Sequence, residues 1–117
     1  MKYLVVDDSK LARLSLIKSL KSHRENAQIL QAENGKDAVE IIMSESIDVV
    51  FLDLTMPVMD GYEAIPVILE KKPDTKIVVI SADVQPKARE KVLSLGAITH
   101  TKKPISPDKM EEILGLL

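Results

Sequence analysis

The residues Val49–Gly61, VVFLDLTMPVMDG, restrict the possible folds of this chain more than any other stretch. An unbroken apolar run leads up to Asp53, and a loop containing Pro57 follows at once. Such a run is typical of a strand that is buried on both faces, as in the interior of a parallel sheet. We therefore expect Asp53 at the carboxyl end of a strand, where open α/β sheets place their functional groups.

Short apolar runs alternate with helical patterns along the rest of the chain. The predicted strands cover Tyr3–Val6, Ala27–Ala32, Ile47–Leu52, Lys76–Ile80 and Ala97–Thr101. The predicted helices begin after Ser9, at Asn34-Gly35, at Gly61, at Pro86 and near Pro107-Asp108. Asn34 suits a helix N-cap, and Gly96 suits the C′ position that ends the fourth helix. This alternation predicts a parallel sheet covered by helices on both faces and joined by right-handed crossovers.

Pro66 conflicts with the helical pattern predicted for Gly61–Lys71. Inside a helix, proline removes a backbone hydrogen bond and costs about 3 kcal/mol, whereas the first turn accepts it. We therefore expect this helix either to start late or to be kinked.

Composition excludes several classes of function. The chain has no cysteine, which rules out disulfides, thiolate metal sites and cysteine nucleophiles. A net charge of −2 and an aromatic content of 3% argue against a nucleic-acid surface. No apolar run approaches the roughly 20 residues that span a bilayer, and no signal peptide follows Met1. We expect a single, monomeric, cytoplasmic domain over residues 1–117, without nucleic-acid or membrane partners.

The residues that follow the predicted strands carry the chemistry. Asp7-Asp8 follows the first strand, Asp53 the third, Ser81 the fourth, and Lys103 the fifth. In a parallel sheet these carboxyl ends share one edge, so the side chains should lie in one crevice. Each residue has a plainer interpretation by itself, as a helix cap, a turn residue or a solvated charge. Capping does not explain three acids, a hydroxyl and a lysine at four strand ends.

Three carboxylates in one crevice repel each other and require cations. Lys103 supplies one, and an all-oxygen ligand set favours Mg²⁺ as another, with Mn²⁺ as a substitute. Carboxylates, Mg²⁺, lysine and a hydroxyl suit a phosphoryl group, whereas the absence of a glycine-rich phosphate loop argues against a bound nucleotide. These residues therefore predict phosphoryl transfer onto Asp53, with its carboxylate as the nucleophile.

Taken together, these motifs resemble the receiver domain of two-component response regulators, in its single-domain, CheY-like form. The matching residues are Asp7-Asp8, Asp53 with Met56-Pro57 and Asp60-Gly61, Ser81-Ala82, Gly96-Ala97 and Lys103-Pro104. They occur in the expected order over the whole chain. The resemblance implies a flavodoxin-like (βα)5 doubly wound sandwich whose five-stranded parallel sheet has the order 2-1-3-4-5.

The resemblance also implies a role for each site residue. Asp53 would be the phosphoacceptor, and it would bind Mg²⁺ together with Asp8 and the backbone carbonyl of Thr55. Asp7 would act on the metal through water. Lys103 would pair with the phosphoryl oxygens, and its peptide bond to Pro104 would be cis.

Further implications concern switching and partners. Ser81 would hydrogen-bond the phosphoryl group and thereby move, while Thr55 and Asp83 would tune how readily water reaches it. The donor would be a histidine kinase or a histidine phosphotransfer protein, with small acyl phosphates as substitutes. An effector protein, which the sequence does not identify, would bind the face formed by helix 4, strand 5 and helix 5.

His100 departs from the family pattern, which usually has Tyr or Phe three residues before the lysine. The plainer interpretation is a half-exposed strand histidine without a role in switching. The alternative is that His100 reports phosphorylation by a change of rotamer that proton uptake biases.

Other functions remain open at this point. A phosphorelay carrier would pass its phosphoryl group on to another histidine, and a pseudo-receiver would bind a partner constitutively. A small phosphatase would need a second acid/base carboxylate, which the sequence does not nominate. We expect a regulatory phosphoacceptor whose only reactions are its own phosphorylation and dephosphorylation, and not an enzyme acting on other substrates. The sequence is equally compatible with an independent protein and with the receiver of a longer regulator.

Overall fold

The computed structural model describes all residues from Met1 to Leu117, and strands alternate with helices along the whole chain. The strands β1 to β5 are Lys2–Val6, Gln28–Ala32, Val49–Leu52, Lys76–Ser81 and Thr99–Lys102. The helices α1 to α5 are Lys10–His23, Gly35–Ser44, Gly61–Lys71, Pro86–Leu95 and Pro107–Gly115. All strand pairs are parallel, in the order β2-β1-β3-β4-β5. This confirms the predicted doubly wound, flavodoxin-like fold. None of the helices is both long and apolar enough to cross a membrane.

Helices cover the sheet on both faces, which explains the unbroken apolar run of β3. Val50 and Leu52 point into a core of 17 buried residues beneath α2, α3 and α4. Val49 and Phe51 point into a second core of 10 buried residues beneath α1 and α5. Since successive side chains of a strand alternate between faces, every position of β3 has to be apolar.

Local signals define most of the helix ends. The Asn34 side chain accepts the Asp37 N–H and caps α2 as predicted. Asp60 and Glu63 form a capping box at the start of α3. Gly96 ends α4 in the left-handed conformation, with a φ of 116°, which confirms its predicted position.

The structure differs from the sequence-based expectations at several element boundaries, and strand β3 begins at Val49 rather than Ile47. The third helix begins at Gly61 and continues to Lys71, so Pro66 does not delay its start. Pro66 is exposed, and the Tyr62 carbonyl loses the donor that another residue at position 66 would provide. Strand β5 begins at Thr99, two residues later than predicted, because the Ala97 N–H bonds the Val92 carbonyl at 3.1 Å and closes the end of α4.

Candidate functional site

The predicted site residues lie at the carboxyl edge of the sheet, where backbone hydrogen bonds extend the strand ladders by one residue. The Asp7 N–H donates to the Ala32 carbonyl at 3.1 Å, and the Asp53 N–H donates to the Val6 carbonyl at 3.0 Å. The Lys103 N–H donates to the Ser81 carbonyl at 2.9 Å. These bonds fix the backbone of Asp7, Asp53 and Lys103 at one edge.

Asp7, Asp8, Asp53 and Lys103 form a charged cluster that we call the acid corner. One oxygen of each carboxylate lies within 4.8 Å of the others. Lys103 Nζ lies 2.6 Å from Asp7 Oδ2 and 3.4 Å from Asp53 Oδ1. Asp7 and Asp53 are buried, with 6% and 7% of their surface exposed, whereas Asp8 is exposed. The lysine thus forms ion pairs with the two carboxylates that solvent reaches least.

Burial and charge shift the protonation of this corner in a defined direction. Burial, reinforced by the negative charge of Asp7, raises the pKa of Asp53, and the Lys103 ammonium only partly opposes this. For Lys103, burial lowers the pKa, but the hydrogen bond to Asp7 and the charge of Asp53 outweigh it, so its pKa lies above the ordinary value. The lysine therefore remains a cation at neutral pH.

The acid corner has the ligand chemistry of a divalent-cation site. All of its anionic donors are carboxylate oxygens, as Mg²⁺ prefers. Both Asp7 oxygens are already engaged, Oδ1 by the Ser9 N–H at 2.9 Å and Oδ2 by Lys103. No side-chain hydrogen bond or ion pair engages Asp8. The residues present fit the metal, with Asp8 as the carboxylate most available for direct coordination.

Gly61 holds the end of β3 against the start of α3. Its N–H donates to the Leu54 carbonyl at 3.0 Å. A Cβ atom at this position would collide with the Asp53 carbonyl oxygen and would lie 2.9 Å from Leu54 Cα. Only glycine therefore allows this close approach behind the Asp53 carboxylate.

Thr55 and Asp83, the two predicted tuning positions, are both exposed. The Asp83 carboxylate accepts the Gln85 N–H at 2.9 Å, so it shapes the turn that leads into α4. No hydrogen bond links either side chain to Asp53. The structure therefore leaves both side chains at the rim of the site.

The Lys103–Pro104 peptide bond is cis, as predicted.

Ser81, Asp83 and His100 form a second, mostly uncharged cluster, which we call the switch corner. The Ser81 hydroxyl lies 2.6 Å from the Asp83 carbonyl oxygen and 2.8 Å from His100 Nε2. Only 2% of His100 is exposed, so the expectation of a half-exposed histidine was wrong. The register of β5 pairs His100 with Val79, which belongs to the larger core beneath α4, and the ring follows Val79 into the interior.

The surroundings of His100 oppose its protonation. Burial and the positive charge of Arg89 lower its pKa, and the carbonyl and carboxylate of Asp83 counteract them only in part. Arg89 on α4 also donates a long hydrogen bond of 3.4 Å to the His100 carbonyl. The neutral imidazole is therefore the stable form at neutral pH.

Arg13 is a buried residue next to the site that the sequence analysis missed. Its guanidinium donates to the Asp7 carbonyl at 2.7 Å and to Gln31 Oε1 at 2.9 Å, joining β1, α1 and β2. Helical spacing of Leu11, Leu14, Ile17 and Leu20 predicts the first helix, and of these four residues Leu11 and Leu14 are exposed. The face turned toward the sheet instead carries Arg13, Leu16, Ile17 and Leu20. This set also has helical spacing, so the signal was present but begins with a charged residue.

Comparisons with known proteins show which family the sequence resembles. The profile of the response regulator receiver domain matches residues 3–115. The chemotaxis protein CheY of Listeria monocytogenes is 35% identical over 114 residues, which cover 97% of this chain and 95% of that protein. The protein-glutamate methylesterase/protein-glutamine glutaminase of Archaeoglobus fulgidus is 38% identical over 107 residues, which cover 89% of this chain but only 30% of that protein.

A solved structure gives the same result for the fold. The receiver domain of AraT, a response regulator from Geobacillus stearothermophilus, superimposes with a TM-score of 0.88 at 28% sequence identity. The superposition covers 98% of this chain and 90% of that one. The similarity therefore extends over the whole sheet and all its helices.

Proposed function

This chain belongs to the receiver domain family of response regulators, and from that premise we propose that it is a phosphorylation-activated switch of a two-component system. Residues 1–117 form the receiver domain, and Asp53 accepts a phosphoryl group from the phosphohistidine of a histidine kinase or a histidine phosphotransfer protein. The observation that carries the proposal is Lys103 Nζ, which lies 2.6 Å from Asp7 and 3.4 Å from Asp53. A cation held beside a buried carboxylate nucleophile suits the negative charge of an incoming phosphoryl group.

The transfer forms one bond and breaks one. A carboxylate oxygen of Asp53 attacks phosphorus in line with the donor nitrogen, forming a P–O bond. The P–N bond breaks, and its electron pair returns to the donor imidazole. Lys103 stabilises the charge on the phosphoryl oxygens, and the Ser81 hydroxyl then donates its proton to one of them. The product is an aspartyl phosphate that water later hydrolyses, so the protein's reactions are confined to its own side chain.

Asp8, Asp53 and the Thr55 carbonyl would hold Mg²⁺, or Mn²⁺ in its place, with Asp7 acting through water. A bound ion would supply positive charge that stabilises the phosphoryl oxygens. Support comes from the three carboxylates within 4.8 Å and from the absence of any competing partner of Asp8. Thr55 and Asp83, at the rim, tune access of water to the aspartyl phosphate.

Phosphorylation acts by shifting the population of two states of the face formed by α4, β5 and α5. Ser81 is the last residue of β4, and its hydroxyl contacts His100 on β5. A movement of the Ser81 hydroxyl therefore changes a contact with β5, which is part of this face. An effector protein distinguishes the two states, and its differential affinity sets the size of the response. The protein acts in the cytoplasm as a monomer, without nucleic-acid or membrane partners.

The test is the variant Asp53→Asn, treated with a small acyl phosphate and Mg²⁺. The wild-type protein should gain one phosphoryl group in its intact mass, and Asp53→Asn should gain none while retaining its circular dichroism spectrum. The exposed residue Asp74 offers a matched control, because Asp74→Asn should be phosphorylated like the wild type. Undiminished incorporation in Asp53→Asn would refute the assignment.

A further inference from the structure

Asp8 is the carboxylate of the acid corner without a side-chain partner, so its position depends on its backbone. Each of the two peptide units that flank it is held by one side chain. The Ser9 N–H donates to Asp7 Oδ1 at 2.9 Å, and the Arg13 guanidinium donates to the Asp7 carbonyl at 2.7 Å. No other donor reaches the Asp7 carbonyl, and the Asp8 N–H has no partner in the protein. The orientation of the Asp7–Asp8 peptide therefore depends on Arg13.

Arg13 is itself held from a second side. Side chains of a helix tilt toward its N-terminus, so Arg13 in α1 reaches back over the turn that carries Asp8. Its Nε donates to Gln31 Oε1 of β2 at 2.9 Å, and only 6% of Arg13 is exposed. The planar guanidinium thus joins β2 to the Asp7–Asp8 peptide with little freedom to move.

An ordinary ion pair does not explain the burial of this cation. The one ion pair of Arg13 is with Glu33, at 3.7 Å, and 71% of the Glu33 side chain is exposed. Such a long pair at the surface contributes little to stability. The acid corner provides the missing negative charge, because its three carboxylates outnumber the single ammonium of Lys103. Arg13 therefore belongs electrostatically to the site and not only to the core.

We infer that Arg13 is a positioning residue of the metal site, which holds the Asp7–Asp8 peptide in the orientation from which the Asp8 carboxylate binds a divalent cation. The inference rests on the proposed function, since it concerns the Mg²⁺ that Asp8 would bind. The charge of Arg13 repels that ion, so its favourable contribution is geometric. Side chains that orient metal ligands through hydrogen bonds contribute roughly ten- to hundredfold to metal affinity.

The experiment measures the affinity of the full chain for Mg²⁺ alone, by NMR titration of the backbone amides around Asp53. The free energy of unfolding in urea is measured without the metal. Arg13→Lys keeps the charge but lacks the planar fork that bonds the Asp7 carbonyl and Gln31 together. Arg13→Met removes the charge as well as the bonds. Both variants should bind Mg²⁺ about tenfold more weakly than the wild type.

The two variants separate position from charge and from stability. If Arg13 acted only by repelling the ion, Arg13→Met would bind Mg²⁺ more tightly than the wild type, and Arg13→Lys would match the wild type. If Arg13 were only structural, both variants would unfold more easily and bind Mg²⁺ with unchanged affinity. Either result would overturn the inference.

Gln31→Leu is a second, milder test. It keeps the guanidinium but removes its anchor on β2, and Gln31 is exposed, so the variant should fold. We expect its affinity for Mg²⁺ to fall by roughly two- to fourfold, in keeping with one hydrogen bond. Glu33→Gln is the matched control, because it removes only the long ion pair and should bind Mg²⁺ like the wild type. If the Arg13 variants do not fold, equal affinities of Gln31→Leu and Glu33→Gln would disprove the inference.

The outcomes for this inference and for the proposed function are distinct. If the wild type binds Mg²⁺ and Asp8→Asn loses that binding, but the Arg13 and Gln31 variants bind like the wild type, only the role of Arg13 is refuted. Failure of the wild type to bind Mg²⁺ at all would overturn the metal site of the proposed function, and this inference with it.

Discussion

The acid corner and the switch corner lie side by side at one edge of the sheet, yet different forces hold them. In the acid corner, Lys103 forms ion pairs with two buried carboxylates, Asp7 and Asp53, which follow two different strands. In the switch corner, Ser81 makes two short bonds to uncharged groups, the Asp83 carbonyl and His100. Charge-assisted hydrogen bonds are roughly twice as strong as neutral ones. The acid corner is therefore the fixed part of the site, and the switch corner is the part that an arriving ligand can rearrange.

This difference assigns the two requirements of a switch to separate groups. Phosphoryl transfer requires a nucleophile and a counter-charge that stay in position. Signalling requires a group whose alternative bonds are close in free energy, and a neutral hydrogen bond contributes only about 1 kcal/mol net. The following substitutions test whether the two corners behave as differently as their contacts suggest.

The largest effect is expected for Lys103→Met, which removes the cation of the acid corner. Without it, Asp7 and Asp53 lose their ion pairs and the transition state loses its counter-charge. We expect phosphorylation by a small acyl phosphate to slow by about a hundredfold, as measured by the rate of mass gain. Lys102→Met is the control, because Lys102 is the exposed neighbour and should not affect the rate. A rate for Lys103→Met close to that of the wild type would contradict the proposed role.

Gly61→Ala tests how rigidly the backbone behind Asp53 is held. The added methyl group would collide with the Asp53 carbonyl oxygen, so β3 or α3 must shift. We expect a loss of about 1–3 kcal/mol in the free energy of unfolding in urea. Gly115→Ala is the matched control, since nothing lies within 4 Å of a Cβ there, and it should be neutral or stabilising. Equal stability of the two variants would show that the acid corner tolerates movement.

The pH dependence of stability tests the burial of His100. Its pKa is lower in the folded protein than in the unfolded chain, so the unfolded state binds the proton more readily. The contribution of the neutral ring is complete above about pH 6.5 and is lost as the pH falls below that value, by at most about 1.4 kcal/mol per pH unit. The free energy of unfolding should therefore decline more steeply on acidification in the wild type than in His100→Gln. Parallel declines would mean that the ring titrates as if it were exposed.

The smallest effect is expected for Asp83→Ala, which removes a side chain at the rim. Its carboxylate accepts the Gln85 N–H, and the same residue supplies the carbonyl that Ser81 bonds. Loss of this turn should shorten the lifetime of the aspartyl phosphate by roughly two- to fivefold, in keeping with one neutral hydrogen bond, without preventing phosphorylation. Glu90→Ala on the exposed face of α4 is the control. An unchanged lifetime in Asp83→Ala would remove Asp83 from the tuning positions.

Much of the fold follows from local patterns. Apolar runs ending in Val6 and Leu52 predict buried strands, and Asn34 and Gly96 mark helix ends through their own backbone preferences. Pro66 was misleading because the capping box and the buried face of α3 sustain the helix despite the missing hydrogen bond. Local preference therefore failed where tertiary packing outweighed it.

The sequence by itself determined which residues share the functional edge, because parallel strands direct all their carboxyl ends to one side of the sheet. From that rule, the sequence alone predicts that Asp7, Asp53, Ser81 and Lys103 lie near one another. Only the tertiary structure decided which of them are partners. The position of Lys103 between two carboxylates, the burial of His100 and the contacts of Arg13 depend on strand register and on elements far away in the chain. The spacing of apolar residues along the chain predicts the face of a helix or strand on which a side chain lies. Its bonding partners depend on distances between elements, which only the tertiary structure provides.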